Sequence, residues 1–292
     1  MISVHLALHA DFNAWRPLAR QLLQAHIAPE NITWCSEPQT DIFENSQPLP
    51  NQIICQPKIS AAFIELATRV CCHRDPHRYA LLYRLAWRLQ QNAHLLDLAM
   101  DDDVLTATQM AKQAGREVHK MKAFIRFRET IYRDEHNAEQ SIFIAWFEPQ
   151  HYTLTLGTPF FIKRFCNMHW AILTPYQSVY WDQQQLYVGM GAQQQQAPSD
   201  DDMEKFWLTY YASTFNPARL KVKAMLKEMP RYYWNNLPEA RLIPELIARA
   251  GERQQQMIAA EPTAPKQNTK TKFDREKWLQ TSLQPRLGKC LT

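Results

Sequence analysis

Apolar positions recur along this chain in segments whose period switches between two and about three and a half, and the switches predict its elements. Residues 2–8 read as a strand. Asp11 to Ala25 reads as a helix, with Asp11 as its N-cap and Trp15, Leu18 and Leu22 as its apolar stripe. Ile32 to Cys35 is a second strand, Glu37 to Pro50 a loop rich in Pro, Asn and Gln, and a third strand is expected near Ile53. Helical spacing predicts helices over Ile59–Val70, Pro76–Gln90 and Asp103–Met121. An alternating stretch follows, with strands expected at Phe124–Glu129, Ser141–Phe147, His169–Thr174, Ser178–Trp181 and Leu186–Val188. A short helix opened by Thr158 and Pro159 interrupts them. Gln193–Asp202 is a surface loop, and Asp202–Arg253 is helical with turns at Pro217, Pro230 and Pro238. The expected fold is α+β, a mostly antiparallel mixed sheet covered by several helices, with a flexible C-terminal tail. One body covers residues 1–260, with a possible subdivision near 100.

The tail from Glu261 changes character. Its first part, to Lys272, is rich in Pro, Thr and Lys and lacks an apolar period, the composition of a linker. Beyond it Asp274 can cap a short helix. Phe273 and Trp278 then have the spacing of a hydrophobic staple, and Trp278, Leu279 and Leu283 offer an apolar face too short to be stable alone. The expectation is a segment that docks on a partner, packs back on its own body or stays disordered.

Charge sharpens this picture. The chain has 33 Lys and Arg against 29 Asp and Glu, and residues 261–292 carry 7 and 3 of them, so the body is neutral and the net charge of +4 lies in the tail. A neutral body argues against indiscriminate phosphate binding but permits a local basic face. Six scattered cysteines without framework spacing, and no basic-then-apolar leader, predict a reduced cytoplasmic protein. No run of about 18 apolar residues predicts a membrane span. With six glycines in 292 residues, glycine-dependent phosphate loops are largely excluded; Gly189-Met190-Gly191 opens no helix.

Basic and aromatic residues interleave in three blocks: HKMKAFIRFRE from His119, PFFIKRFCNMHWAILTP from Pro159, and FNPARLKVKAMLKEMPRYYWNNLPEA from Phe215. Cations bind phosphate and aromatic faces stack on bases, so such blocks are candidate nucleic-acid surfaces. Amphipathic elements carry the same residues for purely structural reasons. In the first block strand geometry sets Phe124, Arg126 and Arg128 on one face, either gripping phosphate or pairing with carboxylates; Arg116, His119 and Lys120 on a helix face extend it. In the second, Lys163 and Arg164 lead to His169 and Trp170, ingredients of a pocket for a flipped base. In the third, Asn216 caps a helix begun by Pro217, and Arg219, Lys223 and Lys227 form a ridge four residues apart.

Catalytic and metal chemistry is less specific. Cys71, Cys72, His73 and His77 cluster, but adjacent cysteines lack the gap that lets two thiolates meet one ion. Asp75 before Pro76 reads as a helix cap, and Asp101–Asp103 and Asp200–Asp202 precede helices, where acids complement the dipole. No metal or other cofactor is expected. Acid-base candidates are His119, Glu148, His151, His169 and Asp182, with His119, His169 and Asp182 as the catalytic set if there is one.

These blocks, together with DFNAWRPLARQLLQAHIAPENITW from Asp11 and YALLYRLAWRL from Tyr79, resemble the bacterial domain-of-unknown-function family labelled "probable DNA metabolism protein". The resemblance runs through most of residues 1–255. It implies a DNA-repair setting, with members found alone beside a radical-SAM DNA-repair protein or fused ahead of a uracil-DNA glycosylase-like domain. At Trp181-Asp182-Gln183 the family commonly has Gly after Asp, so a Gly-type hairpin turn is less expected here. Three functions follow: a non-catalytic DNA-binding or accessory module, on single-stranded or damaged duplex DNA; an enzyme acting on a base or backbone; or an adaptor without DNA contact.

Overall fold

Asp11 starts the first helix by chemistry local to the sequence: its carboxylate accepts the N–H groups of Asn13 (2.9 Å) and Ala14 (3.1 Å), donors that a helix start leaves unpaired. The resulting α1 (Phe12–Gln24) buries Trp15 and Leu22 and links two parallel strands, β1 (Ile2–His5) and β2 (Ile32–Cys35), with Ile2 opposite Ile32. The computed structural model describes residues 1–35, 52–133, 139–194 and 222–250, with 255 and 259. No strand forms near Ile53. Ile53 and Ile54 are exposed in irregular chain, and the N–H of Ile54 is spent on the Gln24 carbonyl (2.8 Å) at the end of α1.

Helices α2 (Ala61–Cys71), α3 (Arg78–Leu89) and α4 (Asp102–Phe124) pack with α1 around a first core that includes Leu22, Phe63, Tyr79, Leu82 and Ala107. Arg78 is fully buried without a carboxylate. Its guanidinium donates instead to the carbonyls of Cys71 (2.9 Å), Asp75 (2.8 Å) and Leu8 and to the Tyr79 hydroxyl (2.8 Å), pinning the chain between β1 and α1. Asp75 is not the N-cap of α3: it lies two residues before the cap position, His77, and accepts the His77 N–H (2.8 Å).

The second core surrounds a five-stranded sheet: β3 (Arg128–Arg133), β4 (Glu139–Trp146), β5 (Trp170–Leu173), β6 (Gln177–Trp181) and β7 (Leu186–Met190), in that order. Pairing is antiparallel except between β4 and β5, which are parallel and joined through helix α5 (Leu154–Arg164). The fold is α+β, with a mostly antiparallel mixed sheet. Trp170, Ile172, Val179 and Trp181 face inward with Phe147 and Phe161. Beyond α6 (Val222–Glu228), tight turns lead to α7 (Ile243–Ala248), and Leu237, Ala240 and Ile243 form a third small cluster.

Several boundaries differ from those the sequence predicts: β1 ends at His5 rather than at residue 8, and the others bear on the site. Helix α4 continues through Phe124, because its buried stripe Met110, Ala114, Val118, Met121 is completed at helical spacing by Ile125. Hence β3 begins only at Arg128, and Phe124, Arg126 and Arg128 do not share a strand face. Helix α5 begins at Leu154, four residues before Thr158, and carries Pro159 inside it. Pro159 is the sixth helical position, beyond the unpaired N–H groups of the first turn, so its missing N–H leaves the Thr155 carbonyl without its intrahelical donor.

Helix α4 serves both cores, Ala107 and Ala111 in one and Met121 in the other. The seam between them is polar. Buried Glu117 accepts the Gln150 N–H (3.0 Å) and the Tyr233 hydroxyl (2.5 Å). The His73 and His151 rings stack at 4.3 Å, and each accepts a backbone N–H at Nδ1, from Asp75 (3.1 Å) and Arg74 (3.3 Å) respectively. His73 Nε2 meets the Gln113 side-chain oxygen at 2.7 Å. Burial, with the neighbouring His73 and the cations Arg74 and Lys120, pushes the His151 pKa down to about 4.

Candidate nucleic-acid interface

The last four turns of α4 turn a basic side outward. Lys112, Arg116, His119 and Lys122 are exposed, and Lys120 is half-buried with its ammonium 5.8 Å from the Tyr233 ring. Their spacing of three or four residues places successive side chains on one ridge. Helix α5 brings a second set beside it. Gly157 favours this, because a Cβ there would lie 2.5 Å from the Met121 sulfur and any larger residue would have to displace the Met121 side chain. Lys122 consequently sits over the Phe160 ring at 5.0 Å, a cation–π contact, while Phe160 remains 40% exposed. Lys163 and Arg164, three and four residues on, are exposed on the same side of α5 as Phe160.

Among the described residues, none of Lys112, Arg116, His119, Lys122, Lys163 and Arg164 is salt-bridged. This is an uncompensated basic strip around an exposed aromatic ring, built from the first two sequence blocks. Lys122, Phe160 and Gly157 were not singled out by the sequence. Lys122 lay inside the first block, but which of Phe160 and Phe161 faces outward depends on the start of α5.

Arg126 belongs elsewhere. Its guanidinium donates to Glu239 Oε1 (3.2 and 2.6 Å) and to the carbonyls of Ala123 (2.8 Å) and Ile125 (3.1 Å), so it closes the C-terminus of α4 and ties it to the third cluster. Arg126 is thus paired with a carboxylate, but one on the Pro238–Leu242 turn rather than on the neighbouring strand the alternation suggested. Arg128 is half-buried on β3, and its interactions exclude treating it as a free cation. Lys227 is exposed on α6; Lys223 lies in the same helix, its side chain outside the described residues, as is the whole of Arg219. Asn216, Pro217 and the tail residues Phe273, Trp278, Leu279 and Leu283 also lie outside them.

The flipped-base pocket is not built from Trp170 or Phe161. Both are core residues, and the Trp170 indole N–H is satisfied by the Phe165 carbonyl (3.2 Å). His169 instead stands at the sheet's other face, its Nδ1 3.1 Å from the Tyr180 hydroxyl. Asp182 accepts the Gln185 (2.7 Å) and Gln184 (2.8 Å) N–H groups, and these bonds hold its carboxyl below the usual carboxylate range, with smaller contributions from the Tyr187 hydroxyl and then nearby His169. His119 is exposed on α4 and hydrogen-bonds to neither. The turn at Asp182 persists without glycine. Gln183 occupies its first central position at φ 74°, the left-handed region that glycine adopts freely. Glu148 is exposed beyond β4, and His151 lies in the seam already described.

Metal chemistry has no constellation here. Burial raises the Cys72 thiol to about 12 and lifts that of Cys71 well above its usual value; Arg78 opposes both shifts. Among the described residues no group of three or more His, Cys, Asp or Glu is gathered to hold an ion, and no helix is long and apolar enough to cross a membrane.

Residues 76–239 match the model of a family described as a domain of unknown function, DUF4130. That stretch is more than half of the chain, which belongs to this family. It holds both helices of the basic strip and both partners of the Arg126–Glu239 pair. No curated protein and no solved structure matches the chain.

Proposed function

We propose that this chain is a nucleic-acid-binding accessory module of bacterial DNA metabolism, without catalysis of its own. The observation that carries the reading is the strip on α4 and α5: exposed cations without carboxylate partners beside an exposed Phe160. Arg84, Arg88 and Arg126, by contrast, are each paired with an acid in this molecule. A row of uncompensated cations at about 6 Å spacing suits a phosphodiester backbone, and an aromatic face among them suits a base. The resemblance of the sequence blocks to a DNA-metabolism family supports a repair setting, with a radical-SAM repair protein as the partner and the Phe273–Leu283 segment as its docking element.

Titration of labelled single-stranded and damaged duplex DNA across a salt series tests this. Five contacts, from Lys112, Arg116, Lys122, Lys163 and Arg164, predict a log–log salt slope of about −3.5 on single strands and about −4.5 on duplex. Absence of binding at about 50 mM salt overturns DNA contact. Conversion of the DNA to a product in the same reactions would establish the enzyme reading, for which His169 and Asp182, together at one end of the sheet, would be the residues to replace first.

A further inference from the structure

We propose that the β7 edge of the five-stranded sheet is a stacking site for the bases of an unpaired strand, with Tyr187 as the ring on which the first base lies. The inference rests on the nucleic-acid reading above and names its substrate class. Val179 and Trp181 of β6 point into the core, so Tyr180 between them points out, and register sets it opposite Tyr187 on β7. With His169, just before β5, these residues form a row across three strands. Ring centroids are 6.4 Å apart between His169 and Tyr180 and 5.9 Å apart between Tyr180 and Tyr187, with planes inclined by only 18° and 25°.

The row is held in place before any ligand arrives. Tyr180 is bonded to His169, and the Gln185 amide donates to the Tyr187 hydroxyl. It is also open at one end. Strand β7 is the last in the sheet and Tyr187 is 45% exposed, so a planar base can continue the array outward by one step. Exposed Val188 and Met190 lie on the opposite face of the same strand and take no part in the row.

Helix α5 packs on the opposite face of the sheet, and its C-terminal end is tied to the same end of the sheet as this row, so a strand would pass round that end. Arg164 is five residues from His169, at most roughly 18 Å of extended chain. The carbonyl of Cys166 in that connection accepts the Trp181 indole N–H (3.1 Å), which holds the connection against the end of β6, next to Asp182 and the turn into β7. Phosphates on Lys163 and Arg164 would therefore deliver the following bases to the aromatic row. A duplex keeps its base faces stacked on each other and cannot use it, whereas an unpaired strand can, with little sequence preference.

The test uses the full chain, a fluorescein-labelled 15-nucleotide oligothymidylate, and a labelled 15-base-pair duplex, read by anisotropy at matched salt. Tyr187→Ala is expected to weaken single-strand binding about tenfold and leave duplex binding unchanged, while Tyr187→Phe retains both. Lys163→Ala with Arg164→Ala is expected to weaken both substrates. If Tyr187→Ala changes neither substrate, or changes both equally, the stacking site is overturned, and the basic strip still stands provided the double variant loses affinity. If the double variant also binds as wild type, the basic strip falls as the nucleic-acid site, whereas absence of binding by the wild-type chain overturns the nucleic-acid reading itself. Unchanged melting of Tyr187→Ala by circular dichroism is expected, since the side chain lies at an exposed edge; a large loss of fold would identify Tyr187 as structural and overturn the proposal.

Discussion

The two ends of α4 carry opposite solutions to the same problem of surface charge. At its N-terminus Asp101 caps the helix, and with Asp103 it is clasped by Arg84 and Arg88 from α3; hydrogen bonds from these arginines hold both carboxyls below the usual carboxylate range. At the other end Lys112, Arg116, His119 and Lys122 stand without acids, facing the cations of α5. Both ends suit the helix dipole, acids first and bases last. Only the second leaves charge unspent, and that difference separates cations that hold the fold from cations available to a ligand.

The largest effect should come from the core beneath the strip. Trp170→Ala removes a fully buried ring and should destabilise the chain by about 3 to 5 kcal/mol in denaturant titration. A folded, stable variant that had lost only ligand binding would return Trp170 to the role of a pocket wall.

Exchange of the two charge sets should then divide stability from binding. Lys163→Ala with Arg164→Ala should cut DNA affinity about tenfold or more and flatten the salt slope by about 1.5, with the melting temperature unchanged. Arg84→Ala with Arg88→Ala should do the reverse, lowering the melting temperature and sparing affinity. If both pairs behave alike, the contrast between the ends of α4 has no functional meaning.

Acid should act on the seam rather than the strip. His151 has a folded pKa of about 4 against about 6.5 unfolded, so between these values the unfolded chain binds more protons. Its stabilising effect is complete above pH 6.5 and is lost as pH falls to 4, on the order of 2 kcal/mol in total. His151→Phe should remove this part of the pH dependence, measured as denaturation midpoints between pH 7 and 4. An unaltered profile would mean that His151 does not resist protonation.

Smaller changes probe the helix approach and the turn. Gly157→Ala should cost about 1 to 2 kcal/mol, since the new methyl meets Met121 at 2.5 Å, and should also weaken binding by moving Phe160 away from Lys122. Gln183→Gly should stabilise by up to about 1 kcal/mol by relieving a positive φ, with no change in affinity.

Much of this molecule is determined locally. The Asp11 cap, the helical stripes of α1 to α4, the strand alternation of β4 to β7 and the grouping of cations with aromatics are consequences of residue type and spacing within short windows, so the sequence by itself specified the α+β class and the two blocks that form the strip. What it could not specify were matters of long-range pairing. Glu239 lies 113 residues from Arg126 and withdraws that cation from any ligand, and Gly157 meets Met121 across a helix crossing, which decides that Phe160 rather than Phe161 is outward. The row of His169, Tyr180 and Tyr187 exists only once the register of three strands is set. Local propensity is a property of a few neighbouring residues, whereas these contacts depend on which distant groups come to share one small volume, and only the tertiary structure decides that.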